Sequence, residues 1–226
     1  MKLAIYDMDR TVTIRGTYTP FLLFVAARMA PWRLLLAPFA LLAMAGYAAK
    51  LVSRKRLKEI NLALLLGTRL SPQRLAPHIE TYADRVVARN LYAKARARIA
   101  DDQAAGYRVA LCTASYELYV HAIAARIGIA AEDVIGTRLV SAADGTILAQ
   151  IDGENCYDRE KLPRIAQWME QIGVKREEAH LRCYSDHVSD APMLDLADEA
   201  FATTPSPKLR VLAEQRGWPV LDFREG

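Results

Sequence analysis

Cysteine is scarce in this chain: Cys112, Cys156 and Cys183 are the only three, an odd number with no C-x-x-C spacing. That argues against a disulfide framework or a thiolate zinc site and points to a reducing compartment. A basic n-region followed by an apolar h-region is missing as well, since the first residues run straight into a strand-like stretch. A cytoplasmic protein is therefore expected. No run is long enough for a confident membrane span. The apolar block 34–49 has sixteen residues without a charge, short of the roughly 20 a spanning helix needs, and it holds Pro38 and Gly46. The formal charge is only +4 over 226 residues, which gives no ground for a nucleic-acid partner. What remains is an ordinary globular composition, 52% hydrophobic and 25% charged. The length allows one large domain or a core with a smaller insert.

The chain is organised around residues 2–11, KLAIYDMDRT. Leu3-Ala4-Ile5-Tyr6 reads as a buried strand, and it stops at Asp7-Met8-Asp9-Arg10-Thr11. Two carboxylates at the carboxyl end of a buried strand lie where open α/β sheets keep their ligand crevice. Alternation along an extended chain sends Asp7 and Asp9 to one side. Two like charges so close repel unless a cation lies between them or one stays protonated. A hard, oxygen-seeking metal such as Mg²⁺ resolves that conflict. On this motif alone, simple capping of a turn or helix by either aspartate stays open.

Residues 17–29 have the pattern of a helix with Pro20 near its first turn. The apolar block follows, bracketed by Arg28 and Arg33 before it and by Lys50, Arg54, Lys55, Arg56 and Lys58 after it. An apolar surface with a cationic border suits an element resting on an anionic membrane surface. Burial of the same run inside a helical hairpin, or in a homodimer interface, is the plainer alternative. Stretches 56–66 and 72–100 read as amphipathic helices, the second capped by Ser71. Nothing between 17 and 100 resembles a strand.

The α/β pattern resumes with a strand at 107–112, ending in Thr113-Ala114-Ser115 before a helix at 117–127. Hydroxyl residues where a strand meets a helix N-terminus either make an anion site or merely cap. Stretch 136–151 alternates around Asp144-Gly145 as a hairpin does. Asp158-Arg159-Glu160-Lys161 then opens a helix to about 172. A lysine at a helix start is at the wrong end of the dipole, so Lys161 must reach solvent or face an anion. A third strand at 181–184 ends in Ser185-Asp186, with Asp190 four residues on and Pro192 starting the next helix. Short edge-type strands at 201–203 and 220–221 flank a helix at 208–216 stopped by Gly217.

Taken together, D-x-D-x-T, T-A-S, the downstream Lys161 and S-D-x-x-x-D-x-P-M-L resemble, in order and spacing, the four motifs of the haloacid dehalogenase superfamily of phosphatases. The resemblance covers the whole chain. It implies an α/β fold with a Rossmann-like three-layer core and a parallel sheet, made by residues 1–16 and 101–226. An all-helical cap, residues 17–100, is inserted after the first strand and contains the apolar segment 34–49. The insert resembles that of the small-cap subfamily containing phosphoserine phosphatase. The apolar block and its basic cluster look more like phosphatidylglycerophosphatase C and its relatives.

The chemistry so implied is Mg²⁺-dependent hydrolysis of a phosphomonoester through an aspartyl-phosphate. Asp7 resembles the nucleophile. Asp9 resembles the acid that protonates the leaving alcohol and then, as base, activates water. Asp7, the backbone carbonyl of Asp9 and Asp186 would hold Mg²⁺, with Asp190 behind them orienting metal waters or the lysine. Thr113 and the backbone at Ala114 would hold phosphoryl oxygens, and Lys161 would offset the charge of Asp7 and the phosphate. Arg10, Asp158, His187 and Ser189 depart from the family pattern without removing a required group. The expected substrate is a membrane lipid phosphate such as phosphatidylglycerophosphate, met at the inner face of the membrane. A soluble metabolite phosphate such as phosphoserine is the alternative. A non-catalytic binding protein is a third reading, and intact Asp7, Asp9, Lys161 and Asp186 argue against it.

Overall fold

The apolar run after Met1 forms β1 (Lys2–Tyr6), in the interior of a six-stranded sheet of the computed structural model, which describes residues 1–224. Across the sheet run β4 (Val134–Thr137), β3 (Arg108–Tyr116), β1, β7 (His180–Ser185), β8 (Glu199–Thr203) and β9 (Val220–Leu221). Every pairing is parallel. A parallel strand is covered on both faces, which is why β1 runs Leu3-Ala4-Ile5-Tyr6 after Lys2, all four buried, instead of alternating. Ala4 and Tyr6 face one core with Val109, Leu111 and Tyr184, and Leu3 and Ile5 face the other with Cys112 and Cys183.

Over the first face lie α5 (Ala93–Ala104) and α6 (Glu117–Arg126), joined by the insert's α1 (Tyr18–Met29) and α4 (Pro72–Arg89). The second face carries α7 (Lys161–Gln171), α8 (Ala191–Leu196) and α9 (Pro207–Arg216), through Ile165, Trp168, Met193 and Leu209. The result is a three-layer α/β core. Its three cysteines are free and buried.

Several expectations change. Residues 72–100 are two helices, because Asn90 is engaged elsewhere. Its backbone oxygen accepts from Ile14 N, and its carboxamide bridges the backbone N–H and oxygen of Arg15 at 2.9 and 3.0 Å. Tyr92 N then bonds Val12 O, so the insert's end is stitched to its beginning. Helix α5 therefore packs under β3 with the core, and the insert closes near residue 90 instead of 100.

Nor is the insert all-helical. Arg69–Leu70 forms β2, antiparallel to β6 (Ile147–Ile151), which also pairs with β5 (Leu139–Ser141). Two residues are too few to leave a period-two signal. The hairpin begins only at Leu139, because Val134–Thr137 is an edge strand of the main sheet. Glu199–Thr203 is an inner strand, not an edge.

The apolar block also differs from its plainer reading. It forms a 3-10 turn, Pro31–Leu36, and α2 (Ala37–Ala48), in which Ala40 alone is buried. Helix α2 packs against α3 (Arg54–Leu65) on one side and leaves the rest of its surface uncovered. It is not the insert's core.

Candidate active site

The carboxyl ends of β1, β3 and β7 converge on one cavity of about 320 Å³. Asp7 follows β1 directly, and its backbone N–H continues the ladder to Tyr184 O at 2.9 Å. Its carboxylate is buried and accepts from Lys161 Nζ at 2.8 Å through Oδ1. Lys161, the first residue of α7, is itself buried and donates a second bond of 2.8 Å to Asp190 Oδ2. The misplaced cation of the sequence thus faces two anions. The turn that aims it bends at Asp158, whose φ of 58° is left-handed, a conformation that aspartate tolerates better than most residues. Arg10, with φ 68°, makes the corresponding bend after Asp9.

Asp186 follows β7 and is tied back to the first motif: its N–H donates to Thr11 Oγ1 at 3.0 Å, and Thr11 Oγ1 lies 3.3 Å from its Oδ1. Asp190 also accepts from Ser185 Oγ at 2.7 Å. Burial pushes the Asp7 carboxyl well above the usual carboxylate range; Lys161 opposes this, and the charges of Asp190 and Asp186 add to it. Burial and then Asp190 push Asp186 up to about 6. Burial works against the charge on Lys161, yet Asp190 and Asp7 outweigh it and hold the ammonium well above its ordinary range.

Were all three carboxyls ionised against the one buried ammonium, two negative charges would be left in excess. Burial and then this repulsion raise Asp7 and Asp186, and a single divalent cation would relieve the repulsion. No group of three His, Cys, Asp or Glu side chains is arranged to hold a metal by itself among the described residues. The donor set that fits is Asp7, Asp186 and the backbone carbonyl of Asp9: all oxygen, as Mg²⁺ prefers.

Asp9 is turned the other way, toward the insert. Its Oδ1 accepts from the N–H and hydroxyl of Thr17 at 2.7 and 2.8 Å, and its Oδ2 from Ser115 Oγ at 2.7 Å. Thr113 and Ala114 line the same cavity, in the stretch where the β3–β4 register slips between Cys112 and Tyr116. Gly136 permits that close approach, since a Cβ there would lie 2.7 Å from Glu117 Cγ and 3.2 Å from Ser115 O. His187 reaches the cavity wall, where its Nδ1 accepts from Ser189 N. All seven expected residues, Asp7, Asp9, Thr113, Ala114, Lys161, Asp186 and Asp190, line this one space.

Three contributors were read from sequence only as a solvated border or not at all. Arg54 lines the cavity with its guanidinium 3.6 Å above the Tyr157 ring. Lys58 is buried, donates to Ala114 O and to Asn155 Oδ1 at 2.9 Å, and lies 4.4 Å above Tyr116. Burial pulls its ammonium down to about 7, against the attraction of Asp9. Asn61 lines an adjoining space of about 250 Å³ that reaches from Asp9 and Ser115 to Tyr18, Met44, Tyr47 and Leu57. Its Oδ1 is buried without a hydrogen-bond partner. A larger, mostly apolar hollow of about 860 Å³ lies along α7 and reaches none of these aspartates.

The sequence model of haloacid dehalogenase-like hydrolases matches residues 4–195. A histidinol-phosphatase of Neisseria meningitidis serogroup C is 26% identical over 157 residues, covering 69% of this chain and 70% of that protein. A phosphoserine phosphatase of Mycobacterium tuberculosis is 36% identical over 123 residues, covering 53% of this chain but only 37% of that protein. The chain thus spans well under half of the mycobacterial relative. Among solved structures, a protein of unknown function from Bordetella pertussis Tohama I superposes with a TM-score of 0.87 at 27% identity, over 98% of each chain.

Proposed function

Since the chain belongs to the haloacid dehalogenase-like hydrolase family and is a phosphatase of that kind, we propose that it passes the phosphoryl group of a phosphomonoester to Asp7 and then to water. The observation that carries this is Lys161 bridging Asp7 and Asp190 beside Asp186, across the cavity from Asp9. Lys161, bonded to Oδ1 of Asp7, holds the carboxylate in place as one of its oxygens attacks phosphorus. The bond from phosphorus to the alcohol breaks as Asp9 gives that oxygen its proton. In the second half, Asp9 takes a proton from water, the water oxygen bonds phosphorus, and the carboxylate of Asp7 is released with inorganic phosphate. Thr17 and Ser115 fix the Asp9 carboxyl in both halves. A Mg²⁺ held by Asp7, Asp186 and the backbone carbonyl of Asp9 supplies neutralisation of phosphoryl charge when bound. Thr113 and the backbone at Ala114 hold phosphoryl oxygens, while Asp190 fixes Lys161.

The alcohol leaves into the space beside Asp9. The insert lines that space with Arg54, Lys58 and Asn61 and with the apolar Met44 and Leu57, and contributes no carboxylate to it. Such a lining suits an alcohol with an anionic group and an apolar body, as in a lipid phosphomonoester like phosphatidylglycerophosphate. An enzyme for that substrate works in the cytoplasm, peripherally at the inner face of the membrane. The second reading is a soluble amino-alcohol phosphate, favoured by the relatives named for histidinol phosphate and phosphoserine. Phosphate release with Mg²⁺ from micellar phosphatidylglycerophosphate, phosphoserine and histidinol phosphate separates them, with Asp7→Asn as the blank. Preference for the lipid supports the first reading and preference for a soluble ester replaces it. Release from none of these, nor from p-nitrophenyl phosphate, overturns phosphatase action.

A further inference from the structure

An exposed helix should be apolar on one stripe only; one apolar all round belongs in a protein core or in lipid. Helix α2 is apolar around its whole circumference, yet Ala40 is its one buried residue. With the turn before it and the loop after it, α2 presents Trp32, Leu35, Phe39, Leu41, Leu42 and Leu51, between 58% and 83% exposed. Leu51 is reached through Lys50, whose φ of 60° turns the chain back toward α3. Continuous apolar surface of this kind marks an interaction site.

The charge around it names the occupant. No Asp or Glu occurs in residues 10–58, while nine Lys and Arg do. Among them Arg28, Lys50 and Arg56 are exposed, and Lys50 directly follows the apolar block 34–49 in the chain. An apolar face with a predominantly cationic border, in which Arg56 pairs with Glu59 and Lys55 with Glu154, complements anionic headgroups above acyl chains. At twelve residues α2 is about 18 Å long, well short of the roughly 30 Å hydrocarbon core. With the 3-10 turn before it, the apolar stretch Pro31–Ala48 reaches 18 residues, enough by length and composition to cross a membrane. Its packing along α3 and its cationic border favour a place in the interface instead. Resistance of the vesicle-bound protein to extraction by alkaline carbonate would overturn that placement.

The arm is also continuous with the site. Met44 and Tyr47 of α2 line the space beside Asp9, and Arg54, just past the loop, lines both that space and the catalytic cavity. We propose that residues 31–52 dock the protein on an anionic bilayer and that the inner side of this arm is the wall along which a lipid phosphate reaches Asp9 and Asp7. The second half of this statement rests on the lipid reading of the site; the docking itself does not.

The test is flotation of the full chain with vesicles of phosphatidylcholine alone and of phosphatidylcholine mixed with phosphatidylglycerol. Wild type is compared with Leu35→Glu/Leu42→Glu and with Lys50→Glu, none of which touches the catalytic cavity. The expected result is binding to the mixed vesicles only, weakened about tenfold or more by the double variant and several-fold by Lys50→Glu. Both variants should keep wild-type hydrolysis of p-nitrophenyl phosphate, which certifies their fold. Absence of wild-type binding, or equal binding by the double variant, overturns the docking. So does light scattering that gives a stable wild-type dimer made monomeric by the double variant, since a second copy then covers the arm. Hydrolysis of a short-chain, monomeric lipid phosphate is measured alongside. Vesicle binding without that hydrolysis keeps the docking and overturns the lipid route to Asp7. Hydrolysis without vesicle binding does the reverse.

Discussion

Replacing Lys58 by methionine should stabilise the protein, and by an amount that depends on pH. Lys58 is a buried cation of the insert whose ammonium is pulled from 10.5 down to about 7, chiefly by burial. Each pH unit between those values is worth about 1.4 kcal/mol, so carrying the charge in the folded state costs about 5 kcal/mol. Below pH 7 the lysine is charged both folded and unfolded, and the whole cost is present. Between pH 7 and 10.5 the folded protein has lost the proton while the unfolded chain keeps it. The unfolded state then binds more protons, and stability rises with pH. At pH 9 about 2 kcal/mol of the cost remains. Methionine matches the length and flexibility of the lysine stem and does not titrate. The hydroxyl of Thr137, 2.8 Å from Ala114 O and 3.0 Å from Asn155 Oδ1, has a single hydrogen and serves one of the two acceptors that Lys58 leaves. The unpaired other takes back about 1–3 kcal/mol at both pH values, which leaves the pH dependence of the difference unchanged. Urea unfolding of both proteins at pH 6 and pH 9 should show the variant's advantage shrinking by about 3 kcal/mol as pH rises. Groups that titrate alike in both proteins cancel from that difference. An advantage that stays constant, or grows with pH, would refute the assignment of Lys58 as a buried charge.

Three further outcomes follow from the site. Ser115→Ala removes the donor to Asp9 Oδ2, and because bonds to charged groups are worth about 1.5–3 kcal/mol, kcat on p-nitrophenyl phosphate should fall roughly ten- to a hundredfold with little change in melting temperature. Calorimetric titration of wild type with Mg²⁺ should give saturable binding that raises the melting temperature, and Asp186→Asn, which leaves Asp7 as the lone carboxylate of the donor set, should abolish both effects. Asp158→Gly relieves a left-handed φ of 58° and should raise unfolding free energy by up to about 1 kcal/mol, read by urea denaturation; a loss of stability would mean that the Asp158 side chain holds the turn.

The parts legible in the sequence were those whose signal is local. Strand β1 shows as four buried apolar residues, and Asp7, Asp9, Lys161, Asp186 and Asp190 show because each sits at the end of such a strand or at the start of a helix. What stayed hidden depended on distant partners. Strand β2 exists only because Ile147 and Leu148 lie opposite it. The break at Asn90 exists only because Arg15 accepts and donates there. Lys58 looks like one more residue of a basic run until its neighbours turn out to be Tyr18, Tyr116 and Asn155. The apolar block erred in the other direction, because composition reports affinity for an apolar environment and not whether this chain supplies one.

Besides Arg54 and Lys58, the insert is joined to the site through Thr17, which directly precedes α1 and bonds Asp9 itself. Its N–H and hydroxyl hold Asp9 Oδ1, its hydroxyl lies 2.9 Å from Tyr119 OH of α6, and its carbonyl accepts from Tyr82 OH of α4 at 2.7 Å. Ser115 of β3 adds the bond to Oδ2 and lies 3.3 Å from the same hydroxyl. Core strand, core helix and two insert helices therefore meet at Asp9, the carboxyl proposed to handle the leaving-group proton. Moving the insert by an ångström would stretch bonds of 2.7 to 2.9 Å past useful length and disorient that acid. Whatever seats the insert, whether substrate in the space beside Asp9 or a surface under α2, thereby also seats the proton donor. With Asp9 as the proposed proton donor, that coupling gives the placement of the insert after β1 a part in catalysis as well as in topology.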